Sequence, residues 1–62
     1  MKVRDAIHLV EADGWVHIRT RGSHRHFKHP VKKGIVTIAG KLSIDLAEGT
    51  LRSIFKQAGL KT

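Results

Sequence analysis

The chain has 62 residues, no cysteine, and twelve Lys and Arg against five Asp and Glu, a formal net charge of +7 with histidines neutral. A chain this short buries only about 60% of the surface its unfolded form exposes, which excludes a deep substrate cavity and puts any site on the surface or at a partner interface. The missing thiols exclude disulfides and thiolate metal sites, and no apolar run approaches the roughly 18 residues of a membrane span.

One domain over residues 1–62 is expected. The opening Met-Lys-Val-Arg-Asp lacks the apolar centre of a signal peptide. A soluble cytoplasmic protein without a membrane partner is therefore expected, and its excess positive charge points to a polyanion, most simply nucleic acid.

Val3, Ala6, Ile7 and Val10 recur at i, i+3, i+4, i+7 and predict an amphipathic helix over residues 2–13, stopped by Gly14. Residues 15–21 alternate, which predicts a strand with Val16, Ile18 and Thr20 buried and His17, Arg19 and Arg21 exposed. Gly22-Ser23 suits a two-residue type II′ turn, which wants glycine first. The register that follows pairs Arg21 with His24, Arg19 with His26, Ile18 with Phe27 and His17 with Lys28.

Pro30 ends the second strand, Lys32-Lys33-Gly34 turns the chain, and residues 35–39 read as a third strand. Residues 40–44 form a loop. Asp45 and Glu48 have capping-box spacing, with Thr50 as the alternative cap. Leu51, Ile54, Phe55 and Ala58 then repeat the helical stripe, Gly59 stops it, and Leu60 folds back. The order αβββα predicts an α+β fold, a three-stranded antiparallel sheet with both helices on one face. Its core would hold Val3, Ile7, Val10, Val16, Ile18, Phe27, Ile54 and Phe55.

By this register the uncovered face carries Arg19, Arg21, His24, His26, His17 and Lys28. Lys/Arg clusters bind phosphate backbones, with affinity that falls steeply as salt rises. Imidazoles among guanidiniums have their charged form disfavoured and so are available as bases. RNA cleavage without metal needs such a base for the 2′-hydroxyl, a donor for the leaving oxygen, and cations for the charge on phosphorus. The same residues equally suit a surface that binds RNA without cutting it. His24 and His26 on one strand face also have a metal-ligand geometry, but the neighbouring cations repel a metal and no carboxylate is near in sequence. Trp15 is read as sealing a core edge, His8 as solvated and His29 as structural.

Together, "DGWVHIRTRGSHRHFKHP" and "GTLRSIFKQAGL" resemble the HicA toxins, small mRNA interferases of toxin–antitoxin pairs. The shared pattern covers nearly the whole chain. The resemblance implies a double-stranded-RNA-binding-domain-like fold and His24, directly after Gly-Ser, as the catalytic residue, with Gly22 and Ser23 positioning it. It further implies cleavage of mRNA with neither metal nor small-molecule cofactor, and a HicB-type antitoxin that covers the site. Arg19, Arg21 and Lys28 are RNA-contact candidates from the register, joined by Ser23 and His26. After the third strand many relatives carry a Pro-His-Pro-like segment; this chain reads Ile38-Ala39-Gly40-Lys41-Leu42 instead.

Overall fold

The computed structural model describes residues 1–61. Two helices and three strands follow in the order α1 (Val3–Ala12), β1 (Val16–Arg21), β2 (His24–Lys28), β3 (Val36–Ala39) and α2 (Glu48–Ala58). The strands form one antiparallel sheet, β1-β2-β3, with β2 central. Both helices pack on β3 and on each other, so the αβββα order and the α+β class are as expected. No helix among the described residues is long and apolar enough to cross a membrane.

The helical stripes do what their spacing predicts. Val3, Ala6 and Val10 of α1 are buried with Ile54, Phe55 and Ala58 of α2, and Ile7 and Leu51 pack at the margin. From the sheet come Phe27, Val36 and Ile38, and Trp15 completes the cluster from the segment before β1. Both helices end alike. Gly14 and Gly59 have positive φ, and the following N–H reaches back five residues, Trp15 to the Val10 carbonyl (3.0 Å) and Leu60 to the Phe55 carbonyl (2.8 Å). At Gly14 a side chain is doubly excluded, because a Cβ would stand 2.8 Å from His29 Nε2 and φ is 107°.

β1 departs from the expected burial. Val16 and Ile18 are exposed at 59% and 46%, as is every residue of the strand. The cause is Trp15, which is 1% exposed and donates its indole N–H to the Ala58 carbonyl at 3.3 Å. An indole has more apolar surface to bury than a valine, and its N–H needs an acceptor when buried. Once Trp15 points inward, alternation sends His17 to the same side and Val16 outward. A bulge between His17 and Arg19 then resets the pairing, so the register is Arg21↔His24, Thr20↔Arg25, Arg19↔His26, His17↔Phe27 and Val16↔Lys28. The two expected pairs nearest the turn hold. Ile18–Phe27 and His17–Lys28 are replaced, since Ile18 is the extra residue.

A polar knot closes the end of the molecule where both helices finish. His29 accepts the N–H groups of Val31 and Lys32 at Nδ1, both at 3.0 Å, which leaves Nε2 to donate to the Asp13 carbonyl at 2.8 Å. Its ring meets Trp15 edge-on, with centroids 5.2 Å apart. The Lys32 ammonium bridges the Asp13 carboxylate (2.5 Å) and the Ala58 carbonyl (3.0 Å), a cation set at two helix C-termini. The structural reading of His29 is therefore correct, and Lys32 is more than a turn residue.

At the opposite end, the loop after β3 caps α1. Carbonyls of Ile44 and Leu42 accept the first helical N–H groups, from Val3 (2.9 Å) and Arg4 (3.2 Å), and Lys2 forms a bridge with Asp45. Asp45 is thereby drawn away from α2, whose N-cap is Ala47 with no side-chain cap. Neither the Asp45–Glu48 capping box nor the Thr50 cap forms, and Thr50 lies inside the helix.

Two outcomes check this packing. Phe27→Ala is expected to cost about 3–5 kcal/mol in chemical unfolding; Ile18→Thr should cost no more than about 0.5 kcal/mol, where simple alternation along β1 implies a core loss. The hydrogen bond from Lys32 holds the Asp13 carboxyl below its ordinary value of 3.8. A depressed carboxyl contributes stability that is present above its unfolded value and lost as pH falls through its folded one. Asp13→Asn should therefore melt below the parent at pH 7, with the gap closing as pH drops below 3.8.

Candidate nucleic-acid interface

No acidic residue stands between Asp13 and Asp45, so the whole sheet is free of carboxylates. Its cations gather on the β1–β2 hairpin, which starts from a tight turn. Gly22 has φ 59° and Ser23 does not have positive φ, the sign pattern of type II′. The Ser23 carbonyl accepts the Gly40 N–H at 3.2 Å, which ties the turn to the end of β3 as well.

Directly paired residues of an antiparallel sheet share a face. On the face away from the helices, His24 stands between Arg21 of β1 and Ala39 of β3, and His26 between Arg19 and Thr37. Lys28 follows, opposite Val16. Arg19, Arg21, Ser23, His24 and Lys28 are exposed and His26 is half-buried. Thus all the expected contact residues are brought onto one hairpin. His17 is the exception. Alternation from Trp15 sets it beside Phe27, ring centroids 5.4 Å apart, and its Nε2 lies 2.7 Å from Thr20 Oγ1.

The two imidazoles of the patch are held differently. His24 makes no side-chain hydrogen bond among the described residues. His26 Nδ1 lies 3.1 Å from the Thr37 hydroxyl. Behind it, the Thr37 N–H donates to Gln57 Oε1 of α2 (3.3 Å), and Gln57 Nε2 donates to Ser53 Oγ (3.3 Å).

Arg25 has a structural part that the expected site residues do not include. It shares the Phe27 face, is half-buried, and donates from Nη1 to the Gly40 carbonyl at 2.7 Å, so it braces the end of β3. The alternation Arg25–Phe27 carried that signal. Among the described residues, no group of three or more His, Asp or Glu is placed to hold a metal ion. Chemically, the patch offers guanidinium and ammonium groups for phosphate and two imidazoles for proton transfer.

A protein-family model described as the HicA toxin of bacterial toxin–antitoxin systems matches residues 3–60, nearly the whole chain. The chain belongs to the HicA toxin family. This HicA-family member is accordingly the toxin of a toxin–antitoxin pair, and an antitoxin is its partner. No curated protein matches the chain significantly. The match spans the cation-bearing hairpin, β3 and α2 alike, so the patch lies within the family's shared domain.

Nothing lies within 4 Å of where a Gly22 Cβ would sit, so an alanine there meets strain from φ alone. Gly22→Ala should cost about 1–2 kcal/mol in unfolding experiments. A synthetic chain with D-alanine at the same position should recover that loss. Equal stability of the two alanine isomers would contradict the turn.

Proposed function

We propose that this HicA-family toxin is an endoribonuclease that cleaves mRNA without a metal or other cofactor, with His24 as the acid–base residue. The observation that carries the reading is the setting of His24: exposed at the hairpin turn, without a side-chain partner among the described residues, and paired across the strands with Arg21. An imidazole so placed is open to a substrate, and the guanidinium beside it attracts the phosphate. In the reaction the base takes the proton of a 2′-hydroxyl, the 2′-oxygen attacks phosphorus, and the 5′-oxygen leaves with a proton. The products are a 2′,3′-cyclic phosphate and a 5′-hydroxyl. Arg19, Arg21, Ser23, His26 and Lys28 contact the RNA, and Gly22 shapes the turn that presents Ser23 and His24. A HicB-type antitoxin neutralises the toxin by covering this face, with acidic groups set against Arg19 and Arg21. The site of action is the cytoplasm, where mRNA is met.

A second reading, RNA binding without cleavage, draws on the departure after the third strand. Ala39 stands directly opposite His24, so β3 offers the imidazole only a methyl group. The two readings separate in one experiment. The parent chain and His24→Ala are induced in bacteria, and transcript ends are mapped. Cleavage predicts growth arrest and new 5′-hydroxyl ends for the parent alone; the purified parent is unaffected by chelators, and the variant is slower by about 10²–10⁴. Equal arrest by both proteins, or dependence on a divalent ion, sinks the catalytic assignment. Salt-sensitive binding with no cut product favours the second reading.

A further inference from the structure

We propose that His26 is the second proton-transfer group of the site, protonating the leaving 5′-oxygen while His24 deprotonates the 2′-hydroxyl, and that Thr37 is its positioning residue. This rests on the cleavage reading above and deepens it. Residues 24 and 26 are separated by one position on β2 and lie on the same face. Two positions along a strand advance about 6.8 Å. In-line displacement puts the attacking and leaving oxygens on opposite sides of phosphorus, each about 2.6–3.2 Å from its proton partner. Alternate strand positions can flank a phosphate in that way, and Arg19 and Arg21, paired with the two histidines, supply cations for its charge.

His26 is also held from the neighbouring strand. The Thr37 N–H points outward to Gln57, so His26 and Thr37 form a pair without mutual backbone hydrogen bonds, the close kind with Cα atoms about 4.5 Å apart. That closeness brings Oγ1 to Nδ1 at 3.1 Å. A hydroxyl accepts from Nδ1–H whether the ring is imidazolium or neutral, so the contact survives loss of the other proton. Nε2 is then the nitrogen that gives up its proton to the 5′-oxygen. The Gln57–Ser53 link to α2 fixes the strand position of Thr37. The charged and titratable groups facing His26 are Arg19 across β1 and His24 and Lys28 along β2; β3 presents Thr37 and Ala39.

The test uses the purified chain and a short RNA carrying a cut site mapped in the induction experiment, made with either an oxygen or a sulfur at the scissile 5′ position. Sulfur leaves without protonation, so it bypasses a missing acid. His26→Gln is expected to slow cleavage of the oxygen substrate by about 10²–10⁴, to lose the fall in rate at high pH, and to recover on the sulfur substrate. His24→Ala should recover on neither. Thr37→Val should show a smaller loss of the same kind, rescued by Thr37→Ser, and it carries the test should His26→Gln fail to fold. A parent that cuts while His26→Gln, or failing that Thr37→Val, cuts the oxygen substrate equally, with an unchanged pH profile, overturns the proposal alone. A parent that cuts neither substrate overturns the cleavage reading and the proposal with it.

Discussion

The indole of Trp15 is the constraint on which the facing of the first strand depends. It needs an apolar enclosure and an acceptor for its N–H, and it finds both between the ends of the two helices, at the Ala58 carbonyl. The strand that begins at the next residue inherits its facing from that choice. Val16 turns to the open face, His17 takes the Phe27 side while staying exposed, and a bulge is needed before Arg19 and Arg21 can return to the open face opposite His26 and His24. Two apolar side chains, Val16 and Ile18, are left in water as a result. Burial of one large residue thus sets the start of the strand, the hairpin turn sets the arginine end, and the bulge reconciles the two.

The same corner shows how a small basic chain uses its few acids. Asp13 sits at the end of α1, and its carboxylate and the Ala58 carbonyl converge on one ammonium, that of Lys32. His29 holds the loop that delivers Lys32 by accepting two consecutive amides. A positive charge is therefore consumed in structure at this end, as Arg25 is at the other end of β3. The cations left on the open hairpin face, Arg19, Arg21 and Lys28, are exposed there and outside these braces.

Much of this was legible in the residues. Helical stripes were read correctly because a 3.6-residue period in short helices has one buried solution, and Gly14 and Gly59 stop both helices as glycines should. The hairpin turn and its two nearest pairs were legible because Gly22-Ser23 admits few geometries. The facing of β1 was not, since alternation gave Val16 and Ile18 the same weight as Trp15 and a bulge leaves no local mark. The start of α2 was misread for a related reason: Asp45 has capping spacing but is drawn to Lys2, more than forty positions away. At the candidate site, the turn made the position of His24 legible, and only the family resemblance singled it out from the other histidines. The Thr37 contact to His26 was hidden because it depends on which register position of β3 lies alongside.

The capping of α1 by the carbonyls of Leu42 and Ile44 has a consequence for how the molecule comes into being. An isolated helix of this length is marginal in water, and here its first turn is finished by backbone from the last third of the chain. Trp15 likewise waits for Ala58. Contacts of such high sequence separation slow folding, because the entropy of closing the loop is lost before they form. A growing chain on the ribosome therefore carries the Arg/His hairpin long before it has the layer that holds it. The layer behind the hairpin is thus complete only once residues 42–58 have joined it.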